Sequence, residues 1–295
     1  MSFVSVIVAT YRRDTELSRA LDSLATQTSD SFEIILVDDN GDAFWNAKVA
    51  AIADSFQQQH PYIPFRYIVN QPNQGSARTR NIGIAAACGK YITFLDDDDL
   101  YLPKKISRQS AFMESGGLDY SITDLNLYND QDILVDRRIR SFITDTTPEA
   151  LLSCHLMHHL TGTDTMMFSR DYLKKIGGFA PIDVGDEFYL MQRAIDGGGK
   201  FGYLPCCDIK AYVHTGEGGL SSGDGKIAGE NALFAFKQQY FPKLSPATKR
   251  YITMRHYAVL AYAELRRKRF FKFMKYAAAS FFCSPAACIK LFFSR

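Results

Sequence analysis

"YITFLDDDDLYLP", residues 91–103, runs an apolar stretch into four consecutive aspartates, Asp96 to Asp99, and then resumes with Leu100 and Tyr101. Two unit charges about 4 Å apart repel by roughly 4 kcal/mol at an effective dielectric near 20. An acidic cluster packed at the end of a core element therefore calls for a cation, a hydrogen-bonding ligand or abundant water. Three readings are open: a solvated turn, a cap for the next helix, or a site for a hard divalent ion. A cap needs one acid rather than four, whereas carboxylate oxygens suit Mg2+ or Mn2+. An ion held by one or two carboxylates completes its shell with phosphate oxygens and water, which implies a nucleotide or a nucleotide-linked substrate.

Outward from this stretch, the first 115 residues alternate two periods. "VSVIVAT" (4–10), "FEIILVDD" (32–39), "FRYIVN" (65–70) and "KYITFLD" (90–96) are apolar runs rich in β-branched residues, as buried strands are. Between them, Leu17, Leu21 and Leu24, with Asp14 as N-cap, and Trp45, Val49, Ile52 and Phe56 recur at helical spacing. "SARTRNIGIAAACG" reads as a third helix stopped by Gly89, and Pro103 starts a fourth that carries Ile106, Ser110 and Met113 to Gly116-Gly117. This alternation predicts an α/β fold, a mostly parallel sheet flanked by helices. Ligands of such sheets bind beyond the carboxyl ends of the strands. Thr10-Tyr11-Arg12-Arg13, Asp38-Asp39-Asn40 and Asp96–Asp99 are thereby expected on one rim. Further on, 119–129 reads as a strand, 144–159 contains a helix, and 163–179 reads as strand, short helix and Gly-Gly turn. Residues 186–195 read as a helix, 201–214 as one or two strands, 215–226 as a glycine-rich loop, and the rest as helical.

With 295 residues and 46% hydrophobic content, the chain can bury a real core. Its net charge of +2 hides an asymmetry. Residues 249–295 hold eleven Lys or Arg and one acid, Glu264, leaving 23 basic and 31 acidic residues in the other 248. The body is mildly acidic and the tail strongly basic, which points the tail at an anionic surface. Six cysteines without a CxxC pair, and a start that lacks a basic n-region, fit free thiols in a reducing cytoplasm. No apolar run is long enough to span a bilayer. G-x-x-x-x-G-K-[ST] is absent, and "ATYRRD" follows the first strand in place of G-x-G-x-x-G, which disfavours an ATPase and a dinucleotide oxidoreductase. His155 and His159 stand four apart without the glutamate of H-E-x-x-H, so an acceptor-side wall or ordinary packing is the expected role.

In "VSVIVATYRR", "FEIILVDDN", "NQGSARTRNIGI" (73–84), "YITFLDDDD" with its D-x-D element, "KKIGGF" (174–179) and "YVH" ending in His214, the chain resembles the family 2 glycosyltransferases of GT-A fold over about residues 3–215. The resemblance implies an inverting transfer of sugar from a nucleotide sugar, usually UDP-linked, with Mn2+ or Mg2+ as cofactor. It also implies that Thr10, Tyr11 and Asp39 hold the base, and that Asp96 and Asp97 face ribose and donor sugar. Asp98 coordinates the metal, with His214 associated with metal or diphosphate, and Arg80 and Arg13 belong to the donor site. The family's base sits in a Glu-Asp pair at a helix start. Here the order is Asp186-Glu187; counting to Leu190 and Arg193 aligns Glu187 with the usual aspartate, and Asp186 stays a candidate.

The expected division is a glycosyltransferase domain over 1–225, with a donor half (1–100) and an acceptor half (101–225), and a basic amphipathic helical region over 226–295. In the latter, Phe270, Phe273, Met274, Ala277 and Phe281 line one helical face and Lys268, Lys272 and Lys275 lie off it. That pattern fits binding in the plane of an anionic membrane, with packing on the body or on a second subunit as the alternative. No nucleic-acid reading motif is present. Expected acceptors are glycans or lipid-linked glycans of the cell surface, and the expected location is peripheral on the cytoplasmic face of the membrane. Two rivals are a non-catalytic nucleotide-sugar-binding protein and a nucleotidyltransferase.

Overall fold

The computed structural model describes residues 3–182, 185–213 and 224–293. The first seven elements alternate without exception: β1 (Val4–Thr10), α1 (Thr15–Ala25), β2 (Phe32–Asp38), α2 (Ala43–Gln59), β3 (Phe65–Val69), α3 (Ser76–Ala86) and β4 (Tyr91–Asp96). β1 lies between β2 and β4, parallel to both, with Thr10 opposite Asp38 and Ala9 opposite Asp96. The three carboxyl ends are therefore level, which is why polar clusters distant in sequence meet on one rim. No residue of β1 or β2 is exposed, as near-continuous apolar runs require when helices cover both faces. Leu17, Leu21 and Leu24 are buried on α1, whose N-cap Asp14 accepts the Thr15 N–H at 2.8 Å. Asp42 caps α2 through the Trp45 N–H at 2.9 Å.

The chain continues through β5 (Leu100–Tyr101), α4 (Lys105–Gly116), β6 (Tyr120–Thr123), β7 (Leu125–Tyr128), β8 (Leu134–Arg138) and α5 (Pro148–His158). A 3-10 turn (Thr163–Thr165) then precedes β9 (Met166–Ser169), α6 (Arg170–Lys175), α7 (Asp186–Asp196), β10 (Phe201–Leu204) and β11 (Ile209–Tyr212). The main sheet has the order β10-β6-β9-β4-β1-β2-β3, with β9 antiparallel to both neighbours, and a second sheet runs β5-β11-β7-β8. The single strand expected over 119–129 is thus two strands in two sheets. Asp124 is the reason. Its N–H donates to the Cys206 carbonyl at 2.9 Å, and its buried carboxylate accepts the Arg140 N–H at 2.9 Å and the Tyr203 hydroxyl at 2.8 Å. A side chain that must turn inward to these partners interrupts the pleat.

Four more helices follow, α8 (Asp224–Gln238), α9 (Pro246–Arg266), α10 (Phe270–Cys283) and α11 (Pro285–Phe293). The chain forms two compact units, Met1–Pro148 with Leu160–His214, and Glu149–His159 with Thr215–Arg295, so the helical segment around α5 groups with the C-terminal helices. Within that unit Ser245 caps α9 through the Thr248 N–H at 3.1 Å, and the Ser280 hydroxyl of α10 donates to the Met254 carbonyl of α9 at 2.9 Å. None of the described helices is long and apolar enough to cross a membrane.

Gly89 does not stop α3, which ends three residues earlier at Ala86. It lets the entry to β4 approach β1: a Cβ there would stand 2.6 Å from the Ser5 backbone nitrogen and 2.9 Å from the Tyr91 carbonyl oxygen. Overpacking against backbone costs about 1–3 kcal/mol. Gly89→Ala is expected to lose that much in urea denaturation, and an unchanged midpoint would refute the close-approach account.

Candidate active site

The four aspartates divide by alternation. Asp96 and Asp98 are partly exposed, while Asp97 and Asp99 are buried. The buried pair ties the rim together. Asp97 Oδ2 accepts the Thr10 hydroxyl at 2.7 Å and the Tyr11 N–H at 3.2 Å, at the end of β1. Asp99 Oδ1 accepts the Tyr212 N–H of β11 at 2.8 Å. The partly open pair carries cations. Arg13 reaches Asp98 Oδ2 at 2.7 Å and Asp97 Oδ1 at 3.2 Å, and Arg80 reaches Asp96 Oδ1 at 2.6 Å. Burial, and then the neighbouring Asp98, push the Asp97 carboxyl up to about 7, against the Thr10 bond and Arg13.

Arg12 adopts a left-handed conformation (φ 53°), and its N–H donates to Asn40 Oδ1 at 2.7 Å. That turn leaves the Tyr11 ring 45% exposed beside the acids, with the Arg12 guanidinium 5.1 Å from its centroid. Asp39 is buried and accepts three donors, Asn70 Nδ2, the Gln74 N–H and the Gly75 N–H, each at 2.8 Å. Its direct work here is to fix the loop that leads into α3.

Arg80, on α3, spans the rim. Besides Asp96 it binds Asp186 Oδ2 at 2.8 Å, and its guanidinium lies 5.5 Å from the Phe179 ring centroid. Burial alone would lower its pKa; the charges of Asp96 and Asp186 overturn this and hold it well above the ordinary value. Asp186 and Glu187 open α7, where the helix dipole favours acids. Their surroundings differ. Asp186 is buried, takes Arg80 and the Ser76 hydroxyl on Oδ2, and accepts the Glu187 N–H on Oδ1 at 3.0 Å. Glu187 is partly exposed, and burial followed by the Asp186 hydrogen bond and charge push its carboxyl up to about 7, against Arg80.

Asp164 was not visible from the sequence. It lies in the 3-10 turn before β9, and Asp96, Asp99 and Asp164 each place a carboxylate oxygen within 4.8 Å of the others. Asp164 Oδ1 accepts the Asp96 N–H at 2.7 Å. Burial and the opposing acid push Asp99 well above its normal range, and burial with Asp96 pushes Asp164 to about 7. Two hydrogen-bonded carboxyls cannot both ionise cheaply, so a proton or a cation must sit among them. Only the pairing of β9 with β4, Thr93 opposite Met167, brings Asp164 here; no local motif announces it. Among the described residues this is the only three-acid cluster of its kind, and its all-oxygen donors fit Mg2+ or Mn2+. Asp98 offers the same chemistry at a more open position. His214 and residues 215–223 of the glycine-rich stretch lie outside the described residues.

Residues 5–177 match the glycosyl transferase family 2, and the chain belongs to that family. A β-1,3-glucosyltransferase of Escherichia coli, WfaP, named for UDP-Glc and an α-D-GlcNAc-diphosphoundecaprenol acceptor, is 29% identical over 217 residues, 73% of this chain and 79% of that one. Staphylococcus aureus TarS 1–349 in complex with UDP-GlcNAc superposes with a TM-score of 0.62 at 17% identity, covering 95% of this chain and 91% of that one. A mannosyltransferase of Pyrobaculum calidifontis in complex with GDP-Man and Mn2+ gives 0.57 at 17%, covering 99% and 79%. The likeness to both structures is one of fold. The chain spans 26% and 56% of the length of the first two curated relatives it matches, uncharacterized glycosyltransferases of Rickettsia felis and Haemophilus influenzae.

Removing one partner of a buried ion pair strands the other charge at a cost of about 3–5 kcal/mol. Arg80→Ala, which strands Asp186, is expected to lower urea stability at neutral pH by that order. A loss below about 1 kcal/mol would mean that the bridge carries no buried charge.

Proposed function

We propose that this chain is a metal-dependent inverting glycosyltransferase that moves a sugar from a UDP-sugar to a hydroxyl of a glycan or lipid-linked glycan. The observation that carries the reading is the Asp96–Arg80–Asp186 bridge, which sets the acids of α7 beside the rim where sequence and fold expect the donor. Thr10 and the exposed Tyr11 ring take the nucleoside, with Asp39 acting through the Gln74–Gly75 backbone that it holds. Asp96 faces the ribose and sugar, Asp97 acts through the Thr10 hydroxyl, the Tyr11 N–H and the Arg13 side chain that it holds, and Arg13 is a donor-site cation. Asp98, with His214 as the resemblance implies, would hold the divalent ion, and Asp96, Asp99 and Asp164 add an all-oxygen cluster that would suit the same ion. When bound, the ion supplies positive charge against the departing diphosphate.

Glu187 is the base. It takes the acceptor's hydroxyl proton as that oxygen bonds to the anomeric carbon and the bond to the diphosphate breaks, which inverts the centre. Asp186, whose oxygens are taken by Arg80, the Ser76 hydroxyl and the Glu187 N–H, positions Glu187 rather than accepting the proton. The UDP reading draws on the WfaP name and on the UDP-GlcNAc complex of TarS. The GDP-Man complex of the Pyrobaculum enzyme makes GDP the first competitor to test. The basic C-terminal helices rest on an anionic membrane, which suits a lipid-linked acceptor and a role in cell-surface polysaccharide synthesis on the cytoplasmic face.

Calorimetric titration with UDP, with and without Mn2+, tests the donor site. Asp98→Asn is expected to weaken metal-dependent UDP binding by about tenfold or more, roughly 1.4 kcal/mol. No binding of UDP in any condition, with binding of GDP, would overturn the uridine assignment.

Glu187→Gln is expected to lower turnover by about 10²–10⁴ while leaving UDP affinity unchanged. A carboxyl pushed up to about 7 is protonated below that pH and then cannot accept a proton. Activity should therefore fall as pH drops through about 7 and level off above it. A profile flat from about pH 5.5 to 8.5 would exclude Glu187 as the base.

A further inference from the structure

The C-terminal unit contains a slot that donor chemistry does not use. Ala258, Ala261 and Leu265 of α9, Phe273 and Ala277 of α10 and Leu291 of α11 line a cavity of about 390 Å3. That is within the range of roughly 300–1,000 Å3 usual for small-molecule sites. Small alanines on facing helices keep it open, and the Ser280–Met254 hydrogen bond fixes one wall. One end is cationic. Arg255 lines the slot and donates to the Met157 carbonyl. Around the slot, Phe271 is 91% exposed and Phe282 80%, with Lys268, Arg269, Lys272 and Lys275 exposed between and before them.

We propose that this slot takes one hydrocarbon chain of an anionic membrane phospholipid, with the lipid phosphate at Arg255. The inference rests on the membrane reading of the basic helices and goes beyond it, since an amphipathic helix on a bilayer needs no internal cavity. Charge decides the occupant. A second copy docking through the same helices would bring the same basic face, and the one acid after residue 249, Glu264, is buried against Arg267 and Arg269. A bilayer rich in anionic headgroups offers the opposite charge together with a chain that fills an apolar slot.

Cys288 lines the slot and reports its occupancy without any mutation, while the exposed Cys88 serves as an internal control. The full-length protein is alkylated with and without monomeric dihexanoyl-phosphatidylglycerol, and each thiol is followed by peptide mass spectrometry. At about ten times its Kd the lipid is expected to slow Cys288 about tenfold and leave Cys88 unchanged. Unaltered Cys288 alkylation overturns the slot. Equal protection by dihexanoyl-phosphatidylcholine, which carries the same phosphodiester without net charge, overturns the anionic-lipid assignment, and protection by inorganic phosphate alone overturns chain entry. Ala277→Phe should abolish the protection yet still float with vesicles of phosphatidylcholine containing phosphatidylglycerol. Lys272→Glu with Lys275→Glu should do the reverse. Flotation of the native protein without Cys288 protection leaves the membrane reading standing and removes the slot; protection without flotation does the opposite.

Discussion

A buried guanidinium shared between two carboxylates is the constraint on which the site depends. Arg80 reaches Asp96 at the end of β4 and Asp186 at the start of α7, two segments ninety residues apart, and its planar fork can hold one oxygen from each at 2.6 and 2.8 Å. Lysine presents a single ammonium and could not fix both directions. The bridge settles which acid of the Asp186-Glu187 pair is committed. Asp186 has its oxygens filled, whereas Glu187, one residue on, keeps a partly exposed carboxyl whose proton affinity is raised by burial and by that committed neighbour.

The rest of the rim is an exercise in crowding like charges. Past the end of β4 the chain turns, with the Asp99 N–H donating to the Asp96 carbonyl at 3.1 Å, and the turn sends Asp97 and Asp99 inward and leaves Asp96 and Asp98 partly open. The inward pair meets hydroxyl and backbone N–H donors on β1 and β11, and the open pair meets arginines. Four adjacent carboxylates are thereby divided into two that hold the fold and two that remain at the surface of the site. The proton affinities of Asp97, Asp99 and Asp164 rise because burial removes water faster than those donors replace it.

The alternation of the first half was legible because β1, β2 and β4 bury both faces and α1 and α2 carry an apolar stripe; Leu17, Leu21 and Leu24, or Val49 and Phe56, identify themselves. The rim followed from it, since parallel strands of equal register end together. Three features were not legible, each because a distant partner decides it. Asp124 splits an apparent strand through contacts with Arg140, Tyr203 and Cys206. Gly89 looks like a helix stop, and its need is set by Ser5. Asp164 joins Asp96 and Asp99 only because β9 runs antiparallel into the middle of the sheet. The separate circumstances of Asp186 and Glu187 were equally hidden, because the sequence shows two adjacent acids and not the one arginine that chooses between them.

That antiparallel strand has an evolutionary side. β6 and β9 are hydrogen-bonded neighbours, with Tyr120 opposite Phe168, so the intervening chain leaves and re-enters the sheet at one place. Residues 124–162 form an excursion whose two ends are pinned by the sheet itself. Within it β7 is tied to β11, whose Tyr212 N–H holds Asp99, so the part with freedom to drift in length and composition is the exposed edge strand β8. A lineage built on this frame can retool what that edge presents while inheriting the acid rim in register.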